Sequence, residues 1–139
     1  MPIDDLARSD VVTADPDTPV TDLAATMDDE NVGSVVITNG DTPVGIVTDR
    51  DLTVRVLGNG ADPSEQTAAD VMTEDPHTLD RKAGFYEAAT MMRDNGIRRV
   101  PICEGDALVG IITADDLTEL LADEEQRVAE VIRAQRPEY

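Results

Sequence analysis

The chain has 139 residues, enough for one domain or two half-sized units, and 40% of them are hydrophobic, which excludes wholesale disorder. Thirty acidic residues stand against 11 basic ones, a formal net charge of −19, and the only aromatics are Phe85, Tyr86 and Tyr139. Such a surface is a poor match to nucleic acid, whose binding rests on clustered cations and released counterions, and so few rings make no stacking platform.

Lys82 is the only lysine. The aspartate-rich, lysine-poor balance resembles that of halophilic proteins, in which molar salt, with a Debye length of ~3 Å, screens self-repulsion. Cys103 is the only cysteine. It excludes an intrachain disulfide and a cysteine-rich metal site, and its run Val100-Pro101-Ile102-Cys103 suits a buried small hydrophobe. No apolar run is long enough to span a bilayer, and Met1-Pro2-Ile3-Asp4-Asp5 does not read as a signal peptide, so a cytoplasmic protein without a membrane partner is expected.

In chain order, Asp10 to Ala14 reads as a short extended lead-in. Thr18-Pro19 is a helix start, with Thr18 as N-cap and Pro19 at the first helical position. Val20, Leu23, Ala24 and Met27 then form one apolar helix face, which Asn31-Val32-Gly33 ends. Ser34 to Thr38 is a strand, Asn39-Gly40 a tight hairpin turn, and Val44 to Val47 the return strand. That strand runs through Thr48 into a helix ending near Gly58-Asn59-Gly60.

The whole plan returns 65 residues later, as Thr48 and Thr113 show. Thr13 falls on Thr78, Met27 on Met92, Val35 on Val100, and Asp51-Leu52 on Asp116-Leu117, with no gap between residues 5 and 117. In the second copy Phe85, Ala88, Ala89 and Met92 form the helix face and Gly96 stops it. Arg98 to Cys103 is the strand, with Pro101 hinting at a sheet edge or bulge. The last helix runs from Asp116 towards Gln135 with an interrupted apolar stripe, which covers its own repeat or contacts another subunit. The expected division is residues 1–60 for repeat 1 with its lead-in, 61–67 for a linker, 68–122 for repeat 2 and 123–139 for a helical tail. Each β-α-β-β-α unit is too small to bury both faces of its sheet. The fold expected is therefore α/β (of α+β type), two repeats packed sheet to sheet about a pseudo-two-fold axis and sharing a core.

The doubled Gly-hydrophobic-x-Thr-x-x-Asp motif (Gly45 to Asp51, Gly110 to Asp116), the pattern Asp70-Val71-Met72-Thr73 and the passage Met91 to Pro101 together resemble a tandem cystathionine-β-synthase (CBS) domain pair, or Bateman module. The resemblance implies an adenosine-containing ligand, AMP, ADP, ATP or S-adenosylmethionine, between the repeats. It puts ribose hydroxyls on Asp51 and Asp116 and a phosphate on Thr48 and Thr113. Adenine would lie against Val12, Thr13 and Ala14 and against His77, Thr78 and Leu79, with Val35, Val36, Val100 and Pro101 as its other wall. Arg98 or Arg99, and Arg50, would face the phosphates. It also implies a homodimer and a regulated partner protein.

Each feature has a plainer meaning. Thr-x-x-Asp at a helix start is also a capping box. Gly45 and Gly110 answer equally to packing, and adjacent arginines are usually solvated. Asp28-Asp29-Glu30 and Asp123-Glu124-Glu125 suit solvated helix ends. Arg98 and Arg99 face Gly33 and Ser34 in the alignment, so one site should be better equipped than the other. His77, the single histidine, has no partners for a metal, and no catalytic constellation stands out. The expectation is a regulatory nucleotide-binding module without catalysis, metal or cofactor; the alternative is an assembly scaffold with an empty cleft. From the charge balance, melting temperature should fall when molar KCl is replaced by dilute buffer, and a value indifferent to salt contradicts the halophilic assignment.

Overall fold

The computed structural model describes residue 3 and residues 7–135. Asp5, the repeat partner of Asp70, and the end of the tail at 136–139 lie outside the described residues. In chain order the elements are β1 (Thr13–Ala14), α1 (Val20–Asp29), β2 (Ser34–Asn39), β3 (Thr42–Thr48) and α2 (Asp49–Asp51), which continues as a π-helical stretch, Leu52–Leu57. After a 3-10 turn (Pro63–Glu65) come α3 (Ala68–Val71), β4 (Thr73–Glu74), β5 (Leu79–Asp80), α4 (Phe85–Asn95), β6 (Arg99–Glu104), β7 (Ala107–Thr113) and α5 (Ala114–Gln135).

They form two mixed sheets, each flanked by helices, in the orders β1-β2-β3-β4 and β5-β6-β7. Each has one short parallel pair (β1 with β2, β5 with β6) and one long antiparallel hairpin. Alternation along the strands divides the faces. Val35, Ile37 and Val47 join Val20, Leu23 and Met27 in one core, and Val100, Ile102 and Ile112 join Ala88, Met92 and Leu117 in another. Val36 and Pro101 lie on the opposite faces and are also buried. The sheets thus share a seam and keep a core each, because each sheet's helices already cover its far face. The Leu108 N–H donates across that seam to the Asp41 carbonyl at 2.8 Å.

Local geometry shifts several expected boundaries by one residue. Pro19, with φ −60° and ψ 144°, is the N-cap of α1 rather than its first helical residue, and the Thr18 hydroxyl turns back to Asp15 at 3.4 Å. The hairpin loop is Gly40-Asp41, with the positive φ on Gly40. Asn31 (φ 53°) and Gly96 (φ 62°), which are 65 apart, take the left-handed turn that ends each first helix. Pro101 lies in a middle strand, not at an edge, but a bulge follows it between Ile102 and Cys103. The tail helix leaves its own repeat: Leu121, Val128, Val131 and Ile132 are all exposed.

The repeats exchange their lead-ins. Ala68 and Val71 are buried in the first core, and β4 pairs with β3 of the first repeat. Reciprocally, Ile3 is buried in the second core and Arg8 bridges to Ile111. Matching bonds fix both crossings: Ala68 N–H to the Thr18 carbonyl at 2.8 Å, and Ile3 N–H to the Ala83 carbonyl at 3.0 Å. Each crossing passes over a motif glycine. A Cβ on Gly45 would come within 2.3 Å of the Met72 sulfur, and one on Gly110 within 3.1 Å of the Arg8 carbonyl oxygen. Gly45→Ala should therefore destabilise the fold by about 1–3 kcal/mol through overpacking. The check is chemical denaturation of Gly45→Ala, Met72→Ala and the double variant; strictly additive effects would remove this explanation for the glycine.

Candidate functional site

The crossing creates two related clefts, one on each side of the pseudo-two-fold axis, and each takes residues from both repeats. The larger has a volume of about 600 Å³ and is lined by Ile46, Thr48, Arg50 and Asp51 of the first repeat, by the lead-in residues 73–77, and by Gly96, Ile97, Arg98, Arg99 and Pro101. That is within the range of ~300–1,000 Å³ usual for small-molecule sites. The smaller, about 210 Å³, is lined by Ile111, Thr113, Ala114 and Asp115, by Arg8 and Asp10 to Val12, by Asn31 to Ser34, and again by Arg98 and Arg99.

Both threonine–aspartate pairs are capping boxes. The Thr48 N–H donates to Asp51 Oδ2 at 2.8 Å and the Asp51 N–H to Thr48 Oγ1 at 3.1 Å. The Thr113 N–H donates to Asp116 Oδ2 at 2.9 Å and the Asp116 N–H to Thr113 Oγ1 at 3.2 Å. Capping occupies one oxygen of each carboxylate, and the other oxygens differ. Asp51 Oδ1 has only the Arg55 Nε at 3.8 Å, too far for a hydrogen bond, whereas Asp116 Oδ1 accepts from an Arg8 terminal nitrogen at 3.2 Å.

Of the residues singled out from sequence, Thr48, Arg50, Asp51, His77, Arg98, Arg99 and Pro101 line the larger cleft, and Val12 and Thr113 the smaller. Asp116 stands behind Arg8. Val35, Val100 and Leu79 are buried in the two cores, Val36 is buried at the seam, and Thr13, Ala14 and Thr78 line neither cleft. Strand alternation accounts for Val35 and Val100, since their neighbours Val36 and Pro101 point the other way. The sequence does not single out Asp75, Pro76 or Arg8. The 65-residue offset could have found the last by setting Arg8 against Thr73. Gly33 leaves room for Arg99, whose terminal nitrogen would lie 2.6 Å from a Cβ at that position.

Electrostatically the larger cleft gathers three arginines in a chain of net charge −19. Arg98 pairs with Asp115 at 3.3 Å through two well-exposed side chains, a contact of small worth, and Arg50 and Arg99 make no ion pair among the described residues. Pro101 adds a backbone feature. In the first repeat the Val36 N–H donates to the Val12 carbonyl at 3.0 Å. The equivalent residues are Pro101 and His77, and proline has no N–H to give, so the His77 carbonyl keeps its acceptor capacity at the cleft wall.

Little else offers chemistry. Cys103 is buried, and burial together with the Asp106 charge pushes its thiol pKa up, so it is a poor nucleophile. Among the described residues no three His, Cys, Asp or Glu side chains are grouped to hold a metal ion, and no helix is long and apolar enough to cross a membrane.

Comparison with known proteins gives the same architecture. A crystal structure of Hypoxic Response Protein I with two coordinated zinc ions is 28% identical, with a TM-score of 0.78 over 86% of this chain and 98% of that one. The CBS-domain protein ATU1752 of Agrobacterium tumefaciens is 30% identical, with a TM-score of 0.79 over 86% and 98%. In sequence, an uncharacterised protein of Methanopyrus kandleri is 38% identical over 120 residues, which are 85% of this chain and 61% of that protein. The CBS-domain family model matches twice, at residues 3–58 and 68–123. CBS modules are non-catalytic regulatory units, and the chain belongs to the CBS-domain family as a tandem pair.

Proposed function

We propose that the chain is a regulatory module that binds an adenosine-containing ligand in the larger cleft. The observation that carries this reading is the pairing, across one cavity, of an Asp51 oxygen left open by capping with three arginines in an otherwise acidic protein. A carboxylate only accepts, and a ribose diol donates two hydrogen bonds, so Asp51 suits the sugar. Thr48, Arg50, Arg98 and Arg99 suit phosphates, guanidinium being a bidentate partner for them. The His77 carbonyl can accept from the adenine amino group, and Pro101 and Ile97 supply an apolar wall. In this assignment Thr13, Ala14, Val35, Val36, Thr78, Leu79 and Val100 hold the walls in place without touching ligand.

AMP, ADP and ATP fit the arginines better than S-adenosylmethionine, whose sulfonium end is cationic. A ligand bridging the repeats acts on a partner protein, or on the geometry of a homodimer, only through different affinities for two arrangements of the halves. Cytoplasmic nucleotide pools would supply it, and molar salt would suit the surface.

Asp51→Asn keeps an oxygen for the cap but loses the charged acceptor. It should weaken AMP and ATP about 10- to 100-fold, the equivalent of one charge-assisted hydrogen bond of ~1.5–3 kcal/mol. Replacing Arg98 and Arg99 with alanine should weaken ATP far more than adenosine. Calorimetry in molar KCl, with melting temperatures as a folding control, checks both. Equal losses for ATP and adenosine would remove the phosphate role, and silence from every nucleotide would favour an assembly scaffold.

A further inference from the structure

The clefts come from one duplicated plan, yet one holds about 600 Å³ and the other about 210 Å³. At the place where Thr73 borders the larger cleft, the smaller has Arg8. Both residues sit on the crossing lead-ins, so both stand beside the aspartate of the repeat they cross to. The Arg8 backbone is fixed by two bonds to Ile111, its N–H to the carbonyl at 2.9 Å and its carbonyl from the N–H at 3.0 Å. From that anchor its guanidinium reaches the spare oxygen of Asp116, whose side chain is only 7% exposed. With Oδ2 capped by the Thr113 N–H, both oxygens of Asp116 are engaged. Among the described residues, the corresponding oxygen of Asp51 accepts no hydrogen bond and has only the Arg55 Nε at 3.8 Å.

We propose that the smaller cleft is a second nucleoside site that Arg8 holds closed, so that each chain takes one adenosine-containing ligand. This rests on the larger cleft being the adenosyl site. Arg8 lines the smaller cleft and occupies the one acceptor that a ribose diol would need. A neutral diol gains little by displacing a cation from a nearly buried carboxylate, since the charged pair forms the stronger hydrogen bond.

Two exchanges test this by calorimetry with AMP and ATP in molar KCl. Wild type should bind one equivalent, and Arg8→Thr should add a second event that a further Asp116→Asn removes. Thr73→Arg, at an exposed position where folding tolerates the change, should copy the closure onto the larger cleft and weaken the wild-type event about tenfold or more. Two comparable events in wild type would overturn the closure. So would one event in a folded Arg8→Thr, or full affinity in Thr73→Arg. No heat from any variant with either nucleotide would instead remove the adenosyl reading of the larger cleft, and the closure with it.

Discussion

Neither repeat completes its own core. The first sheet and its helices leave a space that Ala68 and Val71 fill from the start of the second repeat, and the second leaves one that Ile3 fills from the start of the first. A half-domain of this size buries too little surface to stand alone, so exchange of the lead-ins makes the pair one cooperative object. It also places the clefts. Residues 73 and 74 are hydrogen-bonded to β3, and the lead-in through residue 77 joins Ile46, Thr48 and Asp51 in lining the larger cleft. The walls of the larger cleft are thus a by-product of how the cores are closed. A change in the angle between the halves has to move the lead-in, the arginines or both.

The capping box and a ligand contact are compatible at these positions. A capped carboxylate is held by the threonine N–H bonded to one of its oxygens, while its own N–H bonds the threonine hydroxyl, so its second oxygen projects in a fixed direction at little further entropic cost. Asp51 and Asp116 show the two outcomes of one arrangement: an oxygen with only a 3.8 Å ion pair to Arg55, and an oxygen hydrogen-bonded to Arg8 at 3.2 Å. The motif reports a prepared acceptor in both cases. Its neighbours decide what the acceptor meets.

The doubling, the helix faces and the hairpins were legible in the sequence because they depend on local periodicity and an ungapped offset. The exchange was not. The apolar spacing of Ala68 and Val71 says that they are buried, but nothing in it says against which repeat, so the segment reads as the beginning of the unit it precedes. Roles for Gly45 and Gly110 stayed open for the same reason, since the chain that crosses them is distant in sequence. Val35 and Val100 line no cleft because alternation along a strand sends successive side chains to opposite faces, and the face is set by tertiary packing. Arg8 carried no motif of its own, and only its alignment with Thr73 marks it.

The arrangement of charge bears on how such a site can work. Arg8, Arg81, Arg93, Arg98 and Arg127 each have a carboxylate within 3.3 Å, while Arg50 and Arg99, both on the larger cleft, have no such partner among the described residues. In dilute buffer a surface of net charge −19 would repel an anionic nucleotide before it reached those arginines. In molar salt, where the Debye length shrinks to ~3 Å, that repulsion disappears, and so does any long-range attraction. Recognition then depends on contacts at hydrogen-bond range alone. Under the proposed function, a cavity lined by both guanidinium groups and a cap-held carboxylate would keep its selectivity under those conditions, because its contacts would be short and directional and only a ligand carrying both a diol and a phosphate would make them all.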